Sequence, residues 1–266
     1  MGALDRAAFL RPIAHRGLHD AGRPASQTVR AENSRPAFEA AIARGFGIEC
    51  DLRPARDGLP VVFHDETLER VTGMAGRIGH QTAETLQNVR YPGCNTPVMT
   101  LADALALTAG RVPLLIEIKS EWEPPDGRFM TEIARLARDY QGPIAVMSFD
   151  PAVMIAMRAL APSVPRGMVS GLYESEDGDT WWADRIDRDR AFRLAHLLES
   201  GLVDPAFVAY HVKALPTPVT RYVREVEGLP IFTWTVRDAV DLARARLWAD
   251  APIFEGFDPG ARDPGA

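Results

Sequence analysis

Short apolar runs alternate with amphipathic helical stretches along nearly the whole chain, and that alternation leaves few folds open to it. PIAHRG, from Pro12 to Gly17, reads as a strand ending in a polar tip. ENSRPAFEAAIARG reads as a helix, with Asn33 or Ser34 as N-cap, Phe38, Ala41 and Ile42 at helical spacing, and Gly45 as the stop. FGIECDL is the next strand, Arg56-Asp57-Gly58 a turn, and LPVVFHD a hairpin-like return. A loop-rich piece runs from Glu66 to Thr100. Beyond it VPLLIEIK, IAVMSF, RGMVS, FVAYHV, LPIFTWTV and PIFEGF read as strands. TLADALALTAG and the stretches 128–140, 151–160, 217–227 and 238–249 read as helices between them, and 173–201 as an acidic start followed by mostly helix. Such alternation calls for a parallel sheet with helices outside it. About eight β-then-α units match a closed α/β architecture, the (β/α)8 TIM barrel, better than an open doubly wound sheet. The 266 residues suit a single domain, with the barrel core over about 12–258.

Composition narrows the function classes. The formal net charge is −6 and no basic run occurs, which argues against nucleic-acid binding. No apolar run reaches the roughly 18–20 residues that span a bilayer, and charges at Asp5, Arg6 and Arg11 interrupt the N-terminal stretch. The expectation is a soluble, cytoplasmic protein with no stable membrane insertion. Cys50 and Cys94 belong to no CxxC pair, so they suggest neither zinc nor a redox motif. Neither GxGxxG nor GxxxxGK[ST] follows an early strand, and no GxSxG elbow is present.

The chemistry concentrates at strand ends. Residues i and i+2 of a strand share a face, so Glu49 and Asp51 point one way and Cys50 the other. Glu117 ends the apolar run Leu114-Leu115-Ile116 and repeats the pattern with Lys119. Barrel active sites form at the C-terminal ends of the strands. Three carboxylates converging there repel one another, and two arrangements relieve the repulsion. One is a bound hard divalent cation, Mg²⁺ or Ca²⁺, with Mn²⁺ as a further option. The other is structural ion pairing with Arg53, Arg56 or other basic residues. His15 and His64 also end strands. They read either as a general acid and base near neutral pH or as polar residues satisfied at the rim. Arg16 and Lys119 could hold an anion such as phosphate. The segment YESEDGDTWWAD, with Trp181 and Trp182, either covers the barrel mouth or anchors the helix that follows.

The motifs HRG, AEN, ECDLRPARDGLPVVFHDETLERVTG, EIK, SFDP and FTWTV occur in order from Ile13 to about Asp258, and together the sequence resembles the glycerophosphodiester phosphodiesterase family. The resemblance implies a metal-dependent barrel enzyme that hydrolyses glycerophosphodiesters to sn-glycerol 3-phosphate and an alcohol. It implies Glu49, Asp51 and Glu117 as ligands of one divalent cation and His15 and His64 as the catalytic pair. It implies phosphate contacts from Arg16 and Lys119, a pocket wall at Trp234, and Glu32 as a support beside His15 and Arg16. The family's insertion after the second strand corresponds to residues 65–97, which is short here. Three departures stand out: AENS where the family has PENT, Arg237 where it has Asn after WTV, and APIFEGFDP where it has a stretch like GIITDYP. They leave the catalytic set intact and the alcohol portion open. The rival expectations are a related barrel phosphodiesterase acting on lysophospholipids or phosphoinositides, and a non-catalytic ligand-binding barrel.

Overall fold

The computed structural model describes residues 2–173 and 185–260. A one-turn helix α1 (Arg6–Phe9) leads into β1 (Ile13–Ala14), and a loop connects this to α2 (Arg35–Arg44). Then come β2 (Gly47–Pro54), β3 (Pro60–Val62), the short helices α3 (Glu69–Thr72) and α4 (Ala83–Leu86), and α5 (Leu101–Thr108). Five further strands follow with helices between them: β4 (Leu114–Ile118), α6 (Gly127–Asp139), β5 (Ile144–Ser148), α7 (Pro151–Leu160), β6 (Arg166–Ser170), α8 (Arg188–Ala195), β7 (Phe207–His211), α9 (Pro218–Glu225) and β8 (Ile231–Val236). The described chain finishes with α10 (Ala239–Trp248) and β9 (Ala251–Phe254). β2 pairs with β1 and β4, each later strand pairs with the next, and β9 returns to β1. Eight parallel strands thus close into a (β/α)8 barrel. β3 is the exception: it folds back antiparallel on β2, with Leu52 opposite Val62. This is the hairpin excursion read from the turn at Arg56-Asp57-Gly58.

Closure explains the strand sequences. β4 reads LLIEI and is buried throughout, because helices cover its outer face and the barrel interior its inner face. On β2 the two faces separate cleanly. Ile48, Cys50 and Leu52 pack outward with Phe38 and Ala41 of α2. Glu49 and Asp51 point inward. The interior below them is apolar, built from Ile13, Leu115, Ala145, Phe207, Phe232 and Ile253. Phe9 of α1 stacks on Phe232, with centroids 6.3 Å apart, and closes the lower end. Burying each such ring contributes about 1.5–3 kcal/mol. Cys50 is a buried free thiol and Cys94 is free and partly buried.

Local signals set the helix ends. Thr100 and Asp103 form a reciprocal capping box on α5, and Asp150 caps α7. Gly45 ends α2 in the left-handed conformation. Ser34 occupies the N-cap position of α2, but its hydroxyl donates to the Ala31 carbonyl rather than capping. Asn33 is used elsewhere, as described below.

Three expectations need correction in detail. The first strand is only two residues long, because the Arg16 N–H leaves the ladder and donates to the Glu49 carboxylate at 2.9 Å. The loop-rich piece carries α3 and α4 and its own apolar cluster, with Phe63, Leu68, Ile78, Leu86, Tyr91 and Val98 buried together. In the stretch 173–201, helix among the described residues is confined to Arg188–Ala195. Leu197 beyond it has φ +56°, a left-handed backbone that a helix cannot continue through. Trp181, Trp182 and the acidic run lie outside the described residues.

Candidate active site

Two neighbouring strands bring the three carboxylates together. Asp51 of β2 and Glu117 of β4 are directly paired in register, and Glu49 stands one inward position below Asp51. Each offers an oxygen within 4.8 Å of the others, and all three are buried. Glu49 is the most strained electrostatically. Burial, then the charges of Asp51 and Glu117, push its carboxyl well above the ordinary glutamate range. Its Oε2 accepts the Arg16 N–H, while Oε1 has no hydrogen-bond partner among the described residues. Burial would also raise Asp51, but Lys119, His64 and Arg16 outweigh it and hold that group well below the usual aspartate range.

The basic residues are not those the ion-pair reading named. Arg53 pairs with Glu121 and donates to the His64 carbonyl at 2.6 Å. The cations facing the carboxylates are Lys119 and Arg16. Lys119 Nζ lies 2.8 Å from Asp51 Oδ1 and also pairs with Glu117. Arg16 Nε is 3.4 Å from Asp51 Oδ2, and its Nη1 donates to Glu32 at 2.8 Å. Glu32 is therefore bound to Arg16 and on its other side to Arg70. Arg16 has φ +54° and Gly17 φ +77°. This tight left-handed bend turns the chain off β1, and a Cβ on Gly17 would meet the Ala37 backbone at 2.9 Å.

The two histidines are held alike. His15 Nδ1 is 2.6 Å from Glu255 Oε2, and His64 Nδ1 is 2.7 Å from Asp65 Oδ1. In each, Nε2 is the nitrogen left for other partners; that of His15 lies 3.9 Å from Glu49 Oε2. Burial is the largest cause holding both imidazoles below their ordinary value, with Arg16 adding to it at His15 and Lys119 at His64. Burial thus favours the neutral imidazole at both positions.

A cavity of about 480 Å³ opens at the C-terminal ends of the strands. His15, Arg16, Glu49, His64, Glu117, Lys119 and Trp234 all line it; Asp51, paired with Lys119, and Glu32, bound to Arg16, are not among the lining residues. Trp234 ends β8, donates to the Ala209 carbonyl at 3.2 Å, and meets the Phe149 ring edge-on at 5.3 Å. At the rim, Arg185 links Glu121 to Glu66. His211, at the end of β7, packs against Trp234, while His196 and His80 sit at helix ends away from the cavity lining.

Three polar residues of the site were not assigned from the sequence. Asn33 donates from Nδ2 to Asp51 Oδ2 at 2.8 Å and fixes that carboxylate. Asp65 holds His64 and is itself gripped by Arg70. Glu255 lies one residue past β9, a strand-end position of the same kind as His15, and that position was the available signal.

The residues present suit a hard cation. The donor set is all oxygen, it is buried, and Glu49 Oε1 is an acceptor with nothing to accept. The histidines supply no atom to this triad; His15 and His19 fall instead in a separate possible donor group with Glu255.

The chain is similar to known proteins over most of its length. The glycerophosphoryl diester phosphodiesterase family profile matches residues 15–254. A probable glycerophosphodiester phosphodiesterase 1 of Mycobacterium tuberculosis is 26% identical over 179 residues, 58% of this chain and 61% of that protein. The match thus spans about three fifths of that relative's length. The bovine glycerophosphodiester phosphodiesterase 1 is 28% identical over 246 residues, 84% of this chain and 71% of that one. Among solved structures, an Oleispira antarctica phosphodiesterase in complex with the product sn-glycerol-3-phosphate superposes with a TM-score of 0.70 at 20% identity, covering 93% of this chain and 94% of that chain. A Thermotoga maritima glycerophosphodiester phosphodiesterase gives a TM-score of 0.67 at 21% identity, covering 92% and 94%.

Proposed function

The chain belongs to the glycerophosphoryl diester phosphodiesterase family, and on that premise we propose that it hydrolyses glycerophosphodiesters to sn-glycerol 3-phosphate and an alcohol. One observation carries the reading: three buried carboxylates with an unsatisfied oxygen, flanked in one cavity by two histidines whose Nδ1 atoms are both committed to carboxylates.

Glu49, Asp51 and Glu117 would hold one divalent cation, Mg²⁺ or Ca²⁺. Such an ion, when bound, neutralises charge building on a non-bridging phosphate oxygen. The side chains do the rest. Arg16 and Lys119 orient the phosphate, and Lys119 supplies a donor that can turn from Asp51 to a phosphate oxygen. One imidazole takes the proton from the attacking hydroxyl through Nε2 as the new P–O bond forms. The other returns a proton to the alkoxide as the P–O bond to the alcohol breaks. The two neutral-leaning rings suit the base role directly, and substrate phosphate favours protonation of the acid. The attacking hydroxyl is that of water or of the adjacent glycerol carbon, and accumulation of a cyclic phosphate separates these routes. Trp234, with Phe149 and Trp122, forms the apolar wall against which the glycerol carbons and the alcohol rest.

The test is a substrate panel read by release of glycerol 3-phosphate, with Mg²⁺, Mn²⁺ and Ca²⁺ supplied in turn. Release from glycerophosphocholine or a similar deacylated diester supports the reading. Turnover of lysophosphatidylcholine alone, read by choline release because its other product is the acylated glycerol phosphate, would move it to the lysophospholipid class. Binding with no release in any arm would leave a non-catalytic barrel.

A further inference from the structure

Glu255 and Arg237 occupy two of the three places where the chain departs from its family's usual motifs, and they touch each other. Arg237 Nε donates to Glu255 Oε1 at 2.7 Å, and Glu255 Oε2 faces His15 Nδ1 at 2.6 Å. His19 Nε2 approaches the same Oε2 at 3.4 Å. The Glu255 side chain is largely enclosed, with 14% of its surface accessible, whereas the Arg237 side chain is 57% accessible. Arg237 thus reaches in from the mouth and clamps one oxygen, leaving the other to the histidine.

We infer that Glu255, clamped by Arg237, is the positioning residue of His15 and makes Nε2 its working nitrogen. An ionised carboxylate only accepts hydrogen bonds, so at this separation the proton belongs to Nδ1. The ring then presents Nε2 toward the carboxylate triad and the cavity. Any proton that His15 moves in the reaction leaves or arrives at Nε2, while the Nδ1–H stays on Glu255. The clamp matters because a carboxylate free to rotate would share both oxygens between His15 and His19. With Oε1 held by Arg237, a single oxygen aims the ring. His64 is held by a carboxylate next to it in the chain, whereas His15 depends on one 240 residues away. Its orientation is thus tied to closure of the barrel at β9 and β1.

The pairing gives an unusual substitution pattern. In Glu255→Gln the amide has one acceptor oxygen for two donors, His15 Nδ1–H and Arg237 Nε–H, and its NH₂ group opposes whichever it faces. In the double variant Glu255→Gln with Arg237→Gln that conflict disappears. The amide oxygen can accept from His15 while its NH₂ donates to the new side chain.

The reaction arm of the test rests on the phosphodiesterase reading above; the spectroscopic arm does not. Histidine nitrogen NMR of the ¹⁵N-labelled wild-type protein, at a pH near 8 where the rings are neutral, reports the tautomer, with signals assigned from His15→Gln and His19→Gln. His15 protonated at Nδ1 is the expected result, and an unprotonated Nδ1 overturns the proposal. In kinetics with a glycerophosphodiester, Glu255→Gln is expected to lower kcat about 100-fold with KM changed less than about threefold. The double variant should regain about tenfold or more over Glu255→Gln, a non-additivity that independent roles do not produce. A raised KM at unchanged kcat would make the pair substrate contacts, and additive losses would make them unrelated; either result overturns the inference. A wild-type protein inactive on every glycerophosphodiester would refute the reaction reading, while the tautomer measurement would still decide the geometry.

Discussion

The ammonium of Lys119 lies 2.8 Å from Asp51 Oδ1 and pairs also with Glu117, so one side chain of the barrel supplies the positive charge that holds two of the three carboxylates together. Burial opposes the charged form of Lys119, yet Asp51 and Glu117 keep it protonated beyond the ordinary lysine range. Lys119→Met leaves those carboxylates without their ammonium. In EDTA-treated protein the variant should be less stable than wild type by up to about 3–5 kcal/mol, the typical cost of breaking a buried pair. Mg²⁺ or Ca²⁺ should then raise its melting temperature by more than it raises that of wild type, because the added cation meets less competition. Melting curves with and without cation check this. An equal or smaller rise in the variant would mean that cation and ammonium do not share the same carboxylates.

His15→Ala and His64→Ala should each lower kcat by about 10²–10⁴ while leaving the melting temperature close to wild type, since a positioned acid or base contributes on that scale. Both rings line the cavity rather than the apolar core, so little packing is lost. Steady-state kinetics on purified variants decide it. Near-wild-type turnover in either one removes that histidine from the catalytic pair.

Asp65 should shape the acid limb of the stability curve. Burial alone would raise its carboxyl, but His64 and Arg70 outweigh it and hold the group well below the usual aspartate value. A carboxylate depressed in the folded state contributes stability that is fully present above its unfolded value and is lost as pH falls toward its folded one. The stability gap between wild type and Asp65→Asn should therefore be constant above pH about 5 and shrink once pH drops below about 4. Urea unfolding from pH about 6 down to about 3 measures it. A gap that does not shrink would mean that the pairing contributes nothing to stability.

Gly167 on β6 lies under the Phe207 ring, and a Cβ there would fall 2.2 Å from the nearest ring atom. Gly167→Ala must displace a ring that packs against Phe232 in the barrel interior, with centroids 4.9 Å apart. The expected cost is about 1–3 kcal/mol of overpacking, read as a lower urea midpoint at unchanged slope. An unchanged midpoint would show that the interior yields more easily than a close-packed core.

Glu49, Asp51 and Cys50 illustrate how far the linear chain carries. A strand's side-chain period is two, so three consecutive residues already separate two acids from one thiol, and the thiol duly packs outward with Phe38 and Ala41. The alternation of strand and helix, the turn at Gly58, and His15, His64 and Glu117 at strand ends follow from equally local rules. Where those rules failed, a non-local partner had intervened. β1 ends after Ala14 because, two residues on, the Arg16 amide is drawn to the Glu49 carboxylate on another strand. Asn33 looked like a helix cap, yet Asp51 takes its side chain. The basic residues that follow Glu49 and Asp51 in sequence, Arg53 and Arg56, are not their partners; Asp51 pairs instead with Arg16 and Lys119 from just past the ends of other strands.

Residue types, their period and their spacing thus specify the barrel and nominate the groups at its mouth, because both depend on which face of a strand or helix a side chain occupies. Which nominated group meets which is another matter. That Asp51 stands beside Glu117, that Lys119 turns back onto both, and that Glu255 reaches His15 all depend on the register of β2 with β4 and of β9 with β1. Register is set when the whole sheet closes and buries its interior, and no local stretch contains it.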